Sequence, residues 1–360
     1  MQNDYYTTYL NLTPDEDRAG LPDPRFTVRE LLQHLVSRTE TITGQDLFAL
    51  SDLSRQDAAL VRQEWPLISA DQRKLLVQSL VELSADDIDW QLRRFLRVAL
   101  EDPDETVRRY AIEGLWEETD ADLLGPLIQL LHHDQSERVR AAAAGALGAY
   151  VLAGELDELD AALAMRAEEA LLSILHNPEE PLAVQARALE SIAYSGEAGV
   201  RQLIEDHYYS PDEALRVSAL IAMGRSADTR WRGLARAELQ NPSPQMRAEA
   251  ARTCGELEAK RSEADLLELL LDEEQQVRLA AIFALSRIGG ARAREALRAL
   301  AAGEDAVDAE AADVALEEML FYANDEGIPL LDDEGADEED WDPWEIGDEF
   351  DDDELGSYEA

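Results

Sequence analysis

Apolar and small residues return along the chain in one figure, written VRLAAIFAL from Val277 to Leu285. It recurs as VRRYAIEGL from Val107, VRAAAAGAL from Val139, VQARALESI from Val184, LRVSALIAM from Leu215 and MRAEAARTC from Met246, and weakly as VDAEAADVA from Val307. The starts lie 32, 45, 31, 31, 31 and 30 residues apart, and a period near thirty marks an array of stacked repeats. Offsets 0, 4, 7 and 8 of the figure share an arc of about 100° on a helix. They are almost all apolar or small, as at Val277, Ala281, Ala284 and Leu285. Small side chains at offsets 4 and 7, such as Ala143 with Ala146 or Ala219 with Ala222, let a neighbouring helix approach closely. Each figure is therefore predicted to form the second helix of a packed pair.

The first helix of each pair is predicted from runs such as DLLGPLIQLLHH and ADLLELLLDEE, and turn residues separate the two, as at Asp102-Pro103-Asp104 and Asn241-Pro242. The pattern divides the chain into an irregular lead-in over 1–25, divergent capping helices over 26–87, a repeat array over 88–323 and a tail over 324–360. Near 154–168 the spacing grows by an insertion, GELDELDAALAMRAE after Gly154, expected to lengthen a loop or first helix at one edge of the stack.

An Asp in the turn, followed by Val-Arg and then small and Leu positions, resembles HEAT repeats of the short kind first associated with phycobilisome lyase subunits. Asp104 with Val107 and Arg108, Asp134 with Val139 and Arg140, Asp212 with Leu215 and Arg216, and Asp272 with Val277 and Arg278 carry the likeness. It implies an all-α fold, a right-handed α-solenoid of stacked helix pairs. It also implies a hydrogen-bonded Asp–Arg ladder between repeats, which gives Arg108, Arg140, Arg216, Arg247 and Arg278 a structural role. Gln185 and Asp308 stand where the family has Arg, so the ladder is expected to weaken at the insertion and at the C-terminal end.

Charge narrows the partners. The net charge is −46, and residues 324–360 hold 18 acidic residues without one Lys or Arg, leaving −28 for the remainder. Polyanions are bound through Lys and Arg, so neither nucleic acid nor an anionic membrane is an expected partner. Such charge density also predicts a disordered tail, yet Trp341, Trp344, Ile346 and Phe350 are embedded in it and suggest a docking motif. The longest uncharged run, Ala141 to Gly154, is 14 residues, below the roughly 20 that span a bilayer. With no leader-like N-terminus and a single cysteine, Cys254, at a core-facing offset, the expectation is a cytoplasmic protein with an inert thiol.

No catalytic, cofactor or metal site is expected. His132, His133, His176 and His207 lie near the ends of first helices, but equivalent positions in adjacent repeats stand about 8–10 Å apart, too far for one ion with ligands at about 2 Å. The chain contains no His-Glu dipeptide, the pairing by which HEAT-like hydroxylases hold iron.

Offsets 2, 3, 6 and 10 lie opposite the buried arc and are predicted to form the inner surface of the array. They place Arg109, Tyr110, Arg187, Tyr194, Ile221, Arg225, Arg252, Phe283 and Arg287 on one strip, residue types enriched at binding hot spots. The strip suits an extended acidic or aromatic segment, and the tail supplies one within the same molecule. The reading is a non-catalytic scaffold or assembly factor for protein partners, peptide-like or basic, binding through the inner face, the acidic aromatic tail or both. Two alternatives remain open: an accessory subunit of a protein-modifying enzyme, implied by the lyase resemblance, and an acidic chaperone shielding a basic partner.

Overall fold

A computed structural model describes residues 10–11, 24–38, 41–85 and 89–325 of the 360-residue chain. The tail from residue 326, with Trp341, Trp344, Ile346 and Phe350, lies outside the described residues, as does most of the lead-in. Leu10–Asn11 (β1) pairs in parallel with Ile42–Thr43 (β2). The capping region holds α1 (Val28–Ser37), α2 (Gly44–Leu47), α3 (Arg55–Glu64) and α4 (Ala70–Ala85). Thr27 starts α1 with a reciprocal cap, its hydroxyl taking the Glu30 amide while the Glu30 carboxylate takes the Thr27 amide.

The pairs follow in order: α5 (Arg93–Ala99) with α6 (Glu105–Glu113), α7 (Ala121–His133) with α8 (Glu137–Glu155), and α9 (Ala161–Leu175) with α10 (Leu182–Ile192). Then come α11 (Ala198–Tyr208) with α12 (Glu213–Arg225), and α13 (Arg232–Ala237) with α14 (Pro244–Glu256). The array closes with α15 (Glu263–Leu269) and α16 (Gln275–Ile288), and α17 (Ala291–Ala301) and α18 (Ala306–Asp325). This is the all-α solenoid that the period predicts. The insertion is taken up by helix: α8 runs 19 residues and α9 runs 15, against 14 for α16 and 7 for α15.

Side-chain size sets the stacking. Val277, Ala281 and Ala284 are fully buried, and so are Ala143, Ala219 and Ala250 in earlier repeats. Where α14 crosses α16, a Cβ on Gly255 would stand 2.7 Å from the Ala284 Cα, so only glycine permits that approach. No described repeat follows α18, and there the figure's first and seventh-offset residues, Val307 and Val314, are 49% and 52% exposed.

A ladder runs along the turns. Arg108 donates to both carboxylate oxygens of Asp134 at 2.8 Å and back to the Asp102 carbonyl at 2.7 Å. Arg247 repeats this with Asp272 and the Asn241 carbonyl. An earlier rung joins Arg73 to buried Asp102, which also accepts the Trp65 indole N–H at 2.7 Å. Of the two expected weak points, the one at Gln185 beside the insertion is found, and the C-terminal one needs correcting. Arg140 bridges the insertion to Glu180 at 2.7 Å, and Asp308 is itself the acceptor that closes the last rung, 2.5 Å from Arg278. The interruption is central. Gln185 reaches only the Glu180 carbonyl. Arg216 reaches its own turn and Glu213, because the next turn offers neutral Asn241, already engaged with Glu238 and the Ser243 amide.

Candidate functional site

The second helices α4, α6, α8, α10, α12, α14, α16 and α18 pack on one another in succession, while first helices touch each other more sparsely. The second helices thereby form the inner side of the stack. The strip predicted from offsets 2, 3, 6 and 10 lies on them, and its two halves differ in chemistry.

In the N-terminal half, α8 carries Ala141 and Ala142 where α6 has Arg109 and Tyr110. With Ala183 at the start of α10, these small residues floor a depression of about 230 Å³ walled by Arg109, Glu113, Glu137, Arg138 and Arg187. Arg109 lies over the Tyr110 ring, 4.2 Å from its centroid, and donates to Glu113 at 2.5 Å. Arg187, half exposed, donates to Glu190 at 2.6 Å. Arg138 is exposed and has no protein partner among the described residues. Two of its three guanidinium groups are already paired, Arg109 with Glu113 and Arg187 with Glu190, which leaves Arg138 as the unpaired cation among the lining residues, beside the exposed Glu137.

Further along, the strip is filled and self-neutralised. Arg225 stacks on Tyr194 at 5.6 Å and donates to the Glu190 carbonyl at 2.8 Å. Glu190, 4% exposed, also accepts the Ser218 hydroxyl at 2.9 Å. Arg252 donates to Glu249 at 2.7 Å. Burial pushes the Glu249 carboxyl above its ordinary pKa; Arg252 opposes that shift and the Glu190 charge adds to it. Burial likewise raises Glu256, against the pull of Arg225, Arg252 and Arg287. A Cβ on Gly224 would collide with the Glu256 carboxylate. Ile221 packs against the core, Phe283 is 37% exposed over Gly255, and Arg287 is engaged within the protein.

Sequence reasoning missed Glu137, Arg138 and Ala183. The signal was available, since the two positions just before each figure lie one helical turn ahead of offsets 2 and 3 and share their face. Elsewhere, Cys254 is fully buried, and burial pushes its thiol up to about 11. Among the described residues no group of three or more His, Cys, Asp or Glu is placed to hold a metal ion. No described helix is long and apolar enough to cross a membrane.

The family model described as HEAT repeats matches residues 92–169 and 234–317. No curated protein matches the sequence. Among solved structures the chain is similar to YibA of E. coli, with 15% identity, 85% of this chain and 99% of the other covered, and a TM-score of 0.41. It is similar to human deoxyhypusine hydroxylase in complex with glycerol at 18% identity, with 74% and 96% covered and a TM-score of 0.33. For importin beta the identity is 14%, the coverage 81% and 42%, and the TM-score 0.43. Matched repeats, helix pairs stacked through small residues and a turn-to-turn Arg–carboxylate ladder agree with one another: the chain is a HEAT-like repeat protein.

Proposed function

We propose that the protein is a non-catalytic scaffold that holds an extended segment of a partner protein along its second helices, anchored at the depression over Ala141 and Ala142. The observation that carries this reading is that the depression is open, small-floored and presents the unpaired Arg138 guanidinium, while the rest of the strip is occupied by its own side chains. The segment that fits is acidic, with one ring or apolar side chain seated between α6 and α10. Its carboxylates would meet Arg138, which needs no other pairing broken, and then Arg109 and Arg187. The chain's own acidic tail, with Trp341, Trp344, Ile346 and Phe350, has this chemistry and would compete for the depression as a tethered ligand.

Selection of displayed random peptides on the immobilised full chain tests this. Enriched sequences are expected to pair acidic with aromatic residues, and their binding to fall about tenfold in Arg138→Glu and Ala142→Trp. Enriched peptides indifferent to both substitutions would overturn it.

A further inference from the structure

A second cavity, of about 720 Å³, lies where the capping helices meet the first regular repeat. It is separate from the depression described above, on the other side of Glu113, and its chemistry is opposite. Leu53, Val81, Trp90 and Leu92 line it, and Trp116 stands at its edge. Trp90 is 8% exposed, with Phe48 edge-on at 5.1 Å, and its buried indole N–H has no acceptor among the described residues.

Trp116 is 62% exposed. Its place in the repeat shows how unusual it is. In the five copies that follow, offset 9 carries Gly148, Ala193, Gly224, Gly255 and Ser286, because the neighbouring helix crosses there. At Trp116 the helix has already ended, since α6 stops at Glu113, so the indole packs against no following helix and is left on the cavity's lip.

The charges on that lip are unequal. Arg93 is held by Asp120 at 2.9 Å and Glu118 at 3.6 Å. Arg94 donates to the Leu53 carbonyl at 2.6 Å and lies 3.7 Å from Asp52. Both cations are thus committed to neighbours. Glu117 is exposed and has no partner among the described residues, and the Asp52 side chain is 76% exposed. What the lip offers a newcomer is an aromatic face beside one uncompensated carboxylate, Glu117, and the exposed Asp52 held only at 3.7 Å by Arg94. That combination receives a cationic side chain, with the ring binding the charge and the apolar wall covering its stem.

We propose that this cavity binds a basic segment of a partner protein, an Arg or Lys side chain lying on Trp116 against Glu117 and an adjacent apolar residue entering between Trp90 and Leu53. The chain's own tail is excluded as occupant by its 18 acidic residues, and a second copy by its net charge of −46.

An N-acetylated, C-amidated peptide of sequence RKFRK, titrated into the full chain at physiological salt by calorimetry, tests the proposal. Specific binding is expected, weakened about tenfold by Trp116→Ala and by Glu117→Lys, and unchanged by Glu273→Lys, a charge-matched substitution far along the array. Circular dichroism checks that each variant is folded. Binding that Trp116→Ala leaves intact, or that Glu117→Lys and Glu273→Lys weaken equally, would reduce the effect to diffuse attraction by a polyanion and overturn the site. Absence of binding to the unsubstituted chain would overturn it as well.

Discussion

The two halves of the inner face are built from the same figure and end in opposite states. Between α6 and α10 the offsets facing inward are Ala141 and Ala142, and the chain leaves a depression whose Arg138 has no protein partner among the described residues. Between α12 and α16 the inner strip carries Ile221, Glu249, Arg252 and Phe283 at offsets 3 and 6, where α8 has only Ala142 and Gly145, and each is packed on the core, paired with a neighbour or seated over Gly255. An arginine on an inner face is thus no sign of a binding site until its own helix has been searched for a carboxylate. Small residues, which look like mere packing, are what open the surface.

The largest effect should come from breaking the close contact in the filled half. Gly255→Val places a side chain against the Ala284 backbone and is expected to cost about 1–3 kcal/mol in denaturant unfolding. Ala142→Trp, in the open half, should leave stability within about 0.5 kcal/mol. Binding should show the reverse order. Arg138→Glu lowers affinity for a selected acidic peptide about tenfold, whereas Arg252→Ala, which removes only the partner of Glu249, leaves it within about twofold.

A pH series sharpens the contrast further. Glu249 and Glu256 have folded-state pKa values raised by burial. The folded state therefore holds their protons more tightly than the unfolded chain does. The penalty for keeping them charged is full above their folded pKa values and fades as pH falls toward the unfolded value of about 4.3. Relative to Glu249→Gln, the unsubstituted protein is expected to gain stability as pH falls from neutrality toward that value. Asp272 behaves oppositely. Its hydrogen bonds from Arg247 hold its pKa below the ordinary carboxylate range, so its contribution is present above about pH 4 and is lost below. The smallest effect is expected from Asn241→Asp, which offers Arg216 the missing ladder acceptor. Since the Arg216 side chain is 29% exposed, the gain should be about 0.5 kcal/mol in thermal or denaturant unfolding.

The helix pairs were legible because burial follows a period that the sequence displays: Val277, Ala281 and Ala284 repeat what Val139, Ala143 and Ala146 do. Part of the site was legible and went unread. Arg109 with Glu113, Arg187 with Glu190 and Glu249 with Arg252 stand three or four residues apart, the spacing at which helical side chains meet. Other features depend on how repeats lie against one another. Arg225 meets the Glu190 carbonyl across 35 residues, and Trp116 faces a cavity whose far wall comes from the capping helices. The position of the ladder's gap turned on whether each turn offers a carboxylate or an amide. Asn241 showed this in the sequence, but its engagement with Glu238 did not.

Hydrogen exchange of the full chain, with and without a selected acidic peptide, tests the central claim most directly. Protection confined to α6, the first half of α8 and the start of α10, and absent in Arg138→Glu, is the predicted result. Protection that falls on α14 and α16, or on no second helix at all, would contradict it.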